Sequence, residues 1–197
     1  MDDNKKNQER ELPLAEPPSS KSSSSTTKIV CLSCLGIMLF IFIAITVVTY
    51  PVFFRARGAA KSTSCLSNTK QLAIAFMMYT SEFDDRMPLR NNWQAALDPY
   101  IKSRSIWKCP SAQTTDPCYA FNSKLEKAKL SDINTPQDTV MVFESVPGMN
   151  QCGGKELFPS PPRHPEGHSI AYADSHAKSV KPQEIDSLVW NIKTLAK

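Results

Sequence analysis

The stretch Ile29–Phe83, IVCLSCLGIMLFIFIAITVVTYPVFFRARGAAKSTSCLSNTKQLAIAFMMYTSEF, decides how the rest of the chain is read. Its first part, residues 29–54, carries no charged residue, and roughly 20 apolar residues suffice to cross a bilayer core. Arg55 and Arg57 end the apolar run, yet the helical periodicity continues. From Cys65 onward, Leu66, Thr69, Ala73, Phe76, Met77, Thr80 and Phe83 recur at spacings of three and four, predicting one buried stripe. At ~1.5 Å per residue the whole stretch makes a helix roughly 80 Å long. The reading is a transmembrane helix over 29–54 that becomes amphipathic over 55–83 and forms the spine of a domain over 55–197.

The chain has 197 residues, which leaves room beyond the anchor for one ordinary domain with a modest core. The formal net charge of +4 falls entirely after Phe54, because residues 1–28 hold five basic and five acidic groups. The positive charge is spread thinly, with no Lys/Arg block of the kind that grips phosphates, which argues against nucleic acid as a partner. Residues 1–28 are rich in Ser, Pro and charge and predict a disordered tail. The segment does not read as a cleaved secretory signal, since its apolar run is too long and lacks an A-x-A site.

Six cysteines fall into two groups. Cys31 and Cys34 lie in the apolar run, where a thiol acts as a small apolar side chain. Cys65, Cys109, Cys118 and Cys152 lie in the domain, an even set that suits disulfides in an oxidising compartment, with three pairings open. Flanking charge favours the domain inside only by a slight margin and is nearly balanced, with Lys21 and Lys28 before the span and Arg55, Arg57 and Lys61 after it. The cysteines therefore set the expected topology, with the amino terminus cytoplasmic and the domain outside.

Along the domain, Met87-Pro88 closes the long helix after Asp84-Asp85. Trp93–Leu97 predicts a short helix, and Ile106–Pro110 an extended piece. Thr139–Glu144, TVMVFE, is the clearest strand, and Tyr119–Asn122 a second. Ser169–Ala173 and Ala177–Val180 predict a hairpin with Asp174-Ser175 at its tip. Residues 182–195 predict a terminal helix with Ile185, Leu188, Val189 and Ile192 on one face.

The run YPVFFRARGAAKSTSCLSNTKQLAIAFMMYTSEFDDRMP (Tyr50–Pro88) resembles the signature of bacterial type IV pilin-like proteins of the type II secretion pseudopilin group, specifically the H-x9-DG subgroup. Further similarities are Trp93 through Lys102, Cys109-Pro110-Ser111, Tyr119–Asn122, TVMVFES and RHPEGHSIAYADSHAKSV. His164 and Asp174 keep the subgroup's separation, while Ser175 stands in place of its glycine. The resemblance implies an α+β fold, a long N-terminal helix packed on a small antiparallel sheet. It implies a non-enzymatic protein of the bacterial inner membrane, whose partners are the lipid bilayer and other pilin-like subunits packed through the N-terminal helix. It also favours Cys65 and Cys109 as a disulfide. One departure stands out: processed members carry Gly, then Phe or Met, then an acidic residue, whereas Gly36 is followed by Ile37 and the acidic place holds Ile41. An anchored extracytoplasmic binding module, for cell-wall glycan, an exported protein or a metal ion, is the competing reading.

His164, His168, Asp174 and His176 crowd one short segment and can be drawn as zinc ligands. The simpler account makes His164 and Asp174 hydrogen-bonding braces of the hairpin and His168 and His176 surface residues. The family's major members bind calcium near this end, but Asp174 and Ser175 supply only a fragment of the six to eight oxygens that calcium takes. No other cofactor is expected. No G-x-S-x-G elbow surrounds any serine, so a hydrolase is not predicted.

Overall fold

Helix α1 spans Ser24–Glu82 with Pro51 inside it. The computed structural model describes residues 24–192 of the chain. Of the tail expected over 1–28, residues 24–28 are already helical, and the remainder lies outside the described residues. The chain divides into two units, Met1–Tyr50 and Pro51–Lys197, a boundary four residues earlier than the end of the apolar run.

In the first unit every described side chain from Thr27 onward is exposed. This is the one helix among the described residues that is long and apolar enough to cross a membrane. Its hydroxyls are satisfied within the helix: Thr46 Oγ1 donates to Phe42 O and Thr49 Oγ1 to Ile45 O, each at 2.8 Å. A polar side chain that bonds its own backbone needs no water, the condition for residing in hydrocarbon.

In the second unit α1 presents Ser62, Cys65, Thr69, Leu72, Ala73, Phe76 and Thr80 to the interior. The buried stripe is therefore rotated from the expected one. Leu66 and Met77 are half-buried at its border, and Phe83 is 49% exposed. The helix stops at two aspartates with left-handed backbone, Asp84 (φ 50°) and Asp85 (φ 62°), a conformation that Asp tolerates better than most residues. The Asp85 N–H donates to Thr80 O at 2.9 Å, and Asp85 then receives a later turn: Leu130 N–H donates to its carbonyl and Ser131 N–H to its carboxylate, both at 2.8 Å. A second helix, α2, Trp93–Leu97, forms as expected.

Five strands make one sheet: β1, Tyr119–Asn122; β2, Val140–Glu144; β3, Cys152–Gly153; β4, His168–Tyr172; and β5, Ala177–Val180. Their spatial order is β3-β1-β2-β4-β5. The sheet is mixed, which corrects the expected antiparallel one: β3 runs parallel to β1, pairing Phe121 with Cys152 and Asn122 with Gly153. The other three pairings are antiparallel. The hairpin β4–β5 forms as expected, with Ala171 opposite Ala177 and the tip over Ala173–His176.

Both faces of the inner strands are covered, so β1, β2 and β4 are buried at every residue, whereas the edge strand β5 keeps Lys178 exposed. One face packs Tyr119, Phe121, Met141, Val142 and Ala171 against Leu72, Phe76, Trp93 and Trp107. Phe76 stacks between Trp93 (5.6 Å) and Phe121 (5.0 Å), and Trp93 meets Trp107 edge-on at 5.4 Å. The other face packs Ala120, Val140, Phe143 and Ile170 against Phe158, Leu188 and Trp190. A register irregularity between Val140 and Val142 lets two successive residues, Met141 and Val142, serve the same face.

Two further expectations are corrected. The piece expected to be extended at 106–110 begins as a 3-10 turn, Arg104–Trp107, capped by Ser103. In place of a terminal α-helix there is a 3-10 segment, Pro182–Ser187, after which Val189 forms an isolated bridge with Thr139. Pro182 fixes the start. Asn122 Nδ2 holds the segment beyond Ser187 against the sheet by donating to Val140 O (2.7 Å) and Trp190 O (2.9 Å).

Candidate functional site

Four buried side chains from four separate parts of the second unit converge beneath the amphipathic half of α1. Cys65 comes from the helix itself, where it falls on the buried stripe four residues before Thr69. Cys109 lies just past the 3-10 turn that buries Ile106 and Trp107. Glu144 ends β2, and His164 sits in the loop leading into β4. Their ligand atoms all lie within 4.8 Å of one another, and each residue is at most 2% exposed. The Cys109 Sγ–His164 Nε2 distance is 3.2 Å and the His164 Nε2–Glu144 Oε1 distance 3.7 Å.

An outer layer fixes these groups. Tyr119 OH lies 3.2 Å from Cys65 Sγ. Arg163 Nη1 donates to Glu144 Oε1 at 2.9 Å, while its Nη2 donates to Ser145 O at 2.8 Å. Ser169 N–H donates to Glu144 Oε2 at 3.4 Å. Gly167 sets the entry to β4 with φ +107°, and a Cβ there would fall 2.1 Å from Val180 O, so only glycine lets the loop carrying His164 close against β5.

The electrostatics come from crowding anionic groups out of water. The hydrogen bond from Cys65, and then His164, hold the Cys109 thiol far below its usual value, in favour of thiolate. The same bond with Cys109, together with burial, pushes the Cys65 thiol strongly upward. Burial, and then the negative charge on Cys109, raise the Glu144 carboxyl. Burial opposes a charged His164, but its bond to Cys109 and the nearby Glu144 prevail and raise it. The cluster thus gathers two sulfurs, a carboxylate and an imidazole, with the Arg163 guanidinium adjoining the carboxylate.

The remaining sequence candidates lie elsewhere. Asp174 and His176 pair with each other at the hairpin tip, with Nδ1–Oδ1 2.7 Å, and His176 N–H also donates to Asp174 Oδ1 at 2.9 Å. Ser175 has a left-handed backbone (φ 72°), and its carbonyl accepts from Lys70 Nζ at 2.6 Å. His168 is buried, not on the surface, and its ring lies 4.6 Å from that of Phe158. Cys118 is buried just before β1, and its thiol donates to Asp116 O at 3.4 Å; Cys152 is half-buried on β3. Of His164, His168, Asp174 and His176, only His164 enters the four-residue cluster. Glu144 escapes sequence reasoning because TVMVFE reads as a strand; the available signal is an acidic residue closing an otherwise apolar, two-sided strand.

A cleft of about 440 Å³ opens at another place on this unit, lined by Gln94, Asp98, Arg104, Trp107 and Met149 among others. Its size suits a small molecule or a peptide side chain. No protein-family model matches the chain, and no curated protein and no solved structure matches it either.

Proposed function

We propose that the protein is a membrane-anchored, pilin-like structural protein of the pseudopilin kind, held in the bacterial inner membrane by the first part of α1 with its domain outside. The observation that carries the reading is the uninterrupted exposure of a charge-free helical run over 29–54. Exposing so much apolar side chain to water is unfavourable at roughly 25 cal/mol per Å², and a bilayer removes that cost. The resemblance over Tyr50–Pro88, and the order of helix, sheet and closing hairpin, support the pilin-like part. The N-terminal helix is then the surface through which neighbouring subunits pack.

A second reading, an anchored binding module that does not polymerise, draws on two observations. The acidic residue expected inside the apolar run is replaced by Ile41, and the domain carries the cleft beside Trp107. Expression of the full chain in a bacterial host tests the anchor: the protein stays in the membrane pellet after alkaline carbonate, and protease added to spheroplasts removes the domain. Release by carbonate overturns the anchored reading, and protection of the domain overturns its orientation. Sequencing the mature amino terminus separates the two functions. Cleavage next to Gly36 favours assembly, and an intact charged tail favours the binding module.

A further inference from the structure

We propose that Cys65, Cys109, Glu144 and His164 form a zinc site that clamps α1 to the sheet. Two sulfurs, one imidazole nitrogen and one carboxylate oxygen make a four-ligand set of the type that Zn²⁺ takes in closed, tetrahedral structural sites. With Zn–S near 2.3 Å and Zn–N or Zn–O near 2.0–2.2 Å, the edges of such a tetrahedron are roughly 3.2–3.8 Å. The separations of 3.2 Å and 3.7 Å fall in that range, and the outer bound of 4.8 Å leaves only a small contraction.

Charge supports the choice of metal. Two thiolates, a carboxylate and a neutral imidazole around a divalent ion leave one net negative charge, and the Arg163 guanidinium on Glu144 Oε1 neutralises it. Thiolate ligands exclude calcium and magnesium, which take oxygen. Second-layer contacts of the kind that orient metal ligands are in place: Tyr119 OH on Cys65 Sγ, and Arg163 and Ser169 on Glu144. Binding replaces the Cys65 S–H bond with an S–Zn bond, takes up the Cys109 sulfur as a second, and releases the proton to solvent, so affinity rises with pH.

A disulfide between Cys65 and Cys109 is the competing use of these sulfurs. It would need an oxidant to take up two electrons, and it would use only two of the four converging residues. The zinc site uses all four residues. It holds whichever side of the membrane the domain faces, so it stands or falls separately from the proposed function.

The test uses the full chain, purified in detergent without chelator or reductant. Elemental analysis should find about one zinc per chain, and Cys65 and Cys109 should resist alkylation until a strong chelator is added. Replacement of the zinc by Co²⁺ should give a sulfur-to-cobalt charge-transfer band in the near ultraviolet and the intense visible bands of tetrahedral cobalt. Tyr119→Phe should bind zinc about 10–100-fold more weakly, as loss of a second-layer bond does. His176→Gln, at the hairpin tip, should leave binding unchanged. The cobalt spectrum is read on the unmodified chain, so a folding failure in a variant does not blunt the test. A metal-free chain whose non-reducing peptide map links Cys65 to Cys109 overturns the proposal. So do two freely alkylated thiols after equilibration with zinc.

Discussion

Replacing Phe76 and Phe83 one at a time tests where the amphipathic half of α1 faces. Both lie on the stripe read from spacing, seven residues apart, yet one is fully buried and the other 49% exposed. Phe76→Ala empties a site lined by two rings at 5.0 Å and 5.6 Å, so the loss includes side-chain transfer, the cavity left behind and two stacking contacts. Deletions of this kind cost about 3–5 kcal/mol, and each ring pair accounts for about 0.5–1.5 kcal/mol beyond area. Phe83 keeps half its surface in solvent and stacks only on Tyr79, at 4.3 Å, so Phe83→Ala should cost about 1 kcal/mol or less. Urea unfolding of the detergent-solubilised chain, monitored by tryptophan fluorescence, reads both, because Trp93 lies against Phe76. Equal costs at the two positions would refute the rotated stripe, and with it the placement of Cys65 in the interior.

Three other outcomes rest on individual side chains of the domain. Gly167→Ala should destabilise the hairpin by about 2 kcal/mol or more, since the added Cβ meets backbone, not a yielding side chain, and it should lower the melting temperature clearly; a neutral result contradicts the close approach to Val180. Asn122→Ala should cost about 2–4 kcal/mol by leaving the buried carbonyl of Val140 and that of Trp190 without their donor, measured by urea unfolding. For His168, burial, and then Arg163 and His164, lower the pKa from 6.5 to about 4. Between those values the unfolded chain binds the extra proton, so this residue's effect is to make stability rise with pH through that window. The upper limit is about 3 kcal/mol, and the difference between wild type and His168→Phe across pH 4–7 should show it.

Local chemistry makes much of the fold legible in the sequence. A run without charge gives the long apolar helix, Asp84-Asp85 before Met-Pro gives the helix stop, and Tyr119–Asn122, TVMVFE and the closing hairpin give four of the five strands. The features that escape have physical reasons. The interior face of α1 is built partly from Ser62, Cys65 and Thr69, which an apolarity count passes over, so spacing alone draws the stripe too close to Leu66 and Met77. Strand β3 is two residues long and exists only because β1 offers an edge, so no periodicity announces it. The terminal segment carries helical spacing, but Trp190 and Val189 are drawn to the open sheet face instead. The Cys65–Cys109–Glu144–His164 cluster draws one residue from each of four distant places, which no local window can assemble.

The two-sided sheet also has a consequence for the order in which the chain can mature. The central strand β2 takes one partner from β1 before it and the other from β4, and its second face is closed by Leu188 and Trp190 near the end of the described residues. A chain emerging amino end first therefore has nothing stable to fold into until almost all of it has emerged. Contacts of such long sequence separation form slowly. A stop codon shortly before Trp190 would leave Phe143 and Phe158 uncovered, and such a product would be a substrate for proteases and not a shortened working protein.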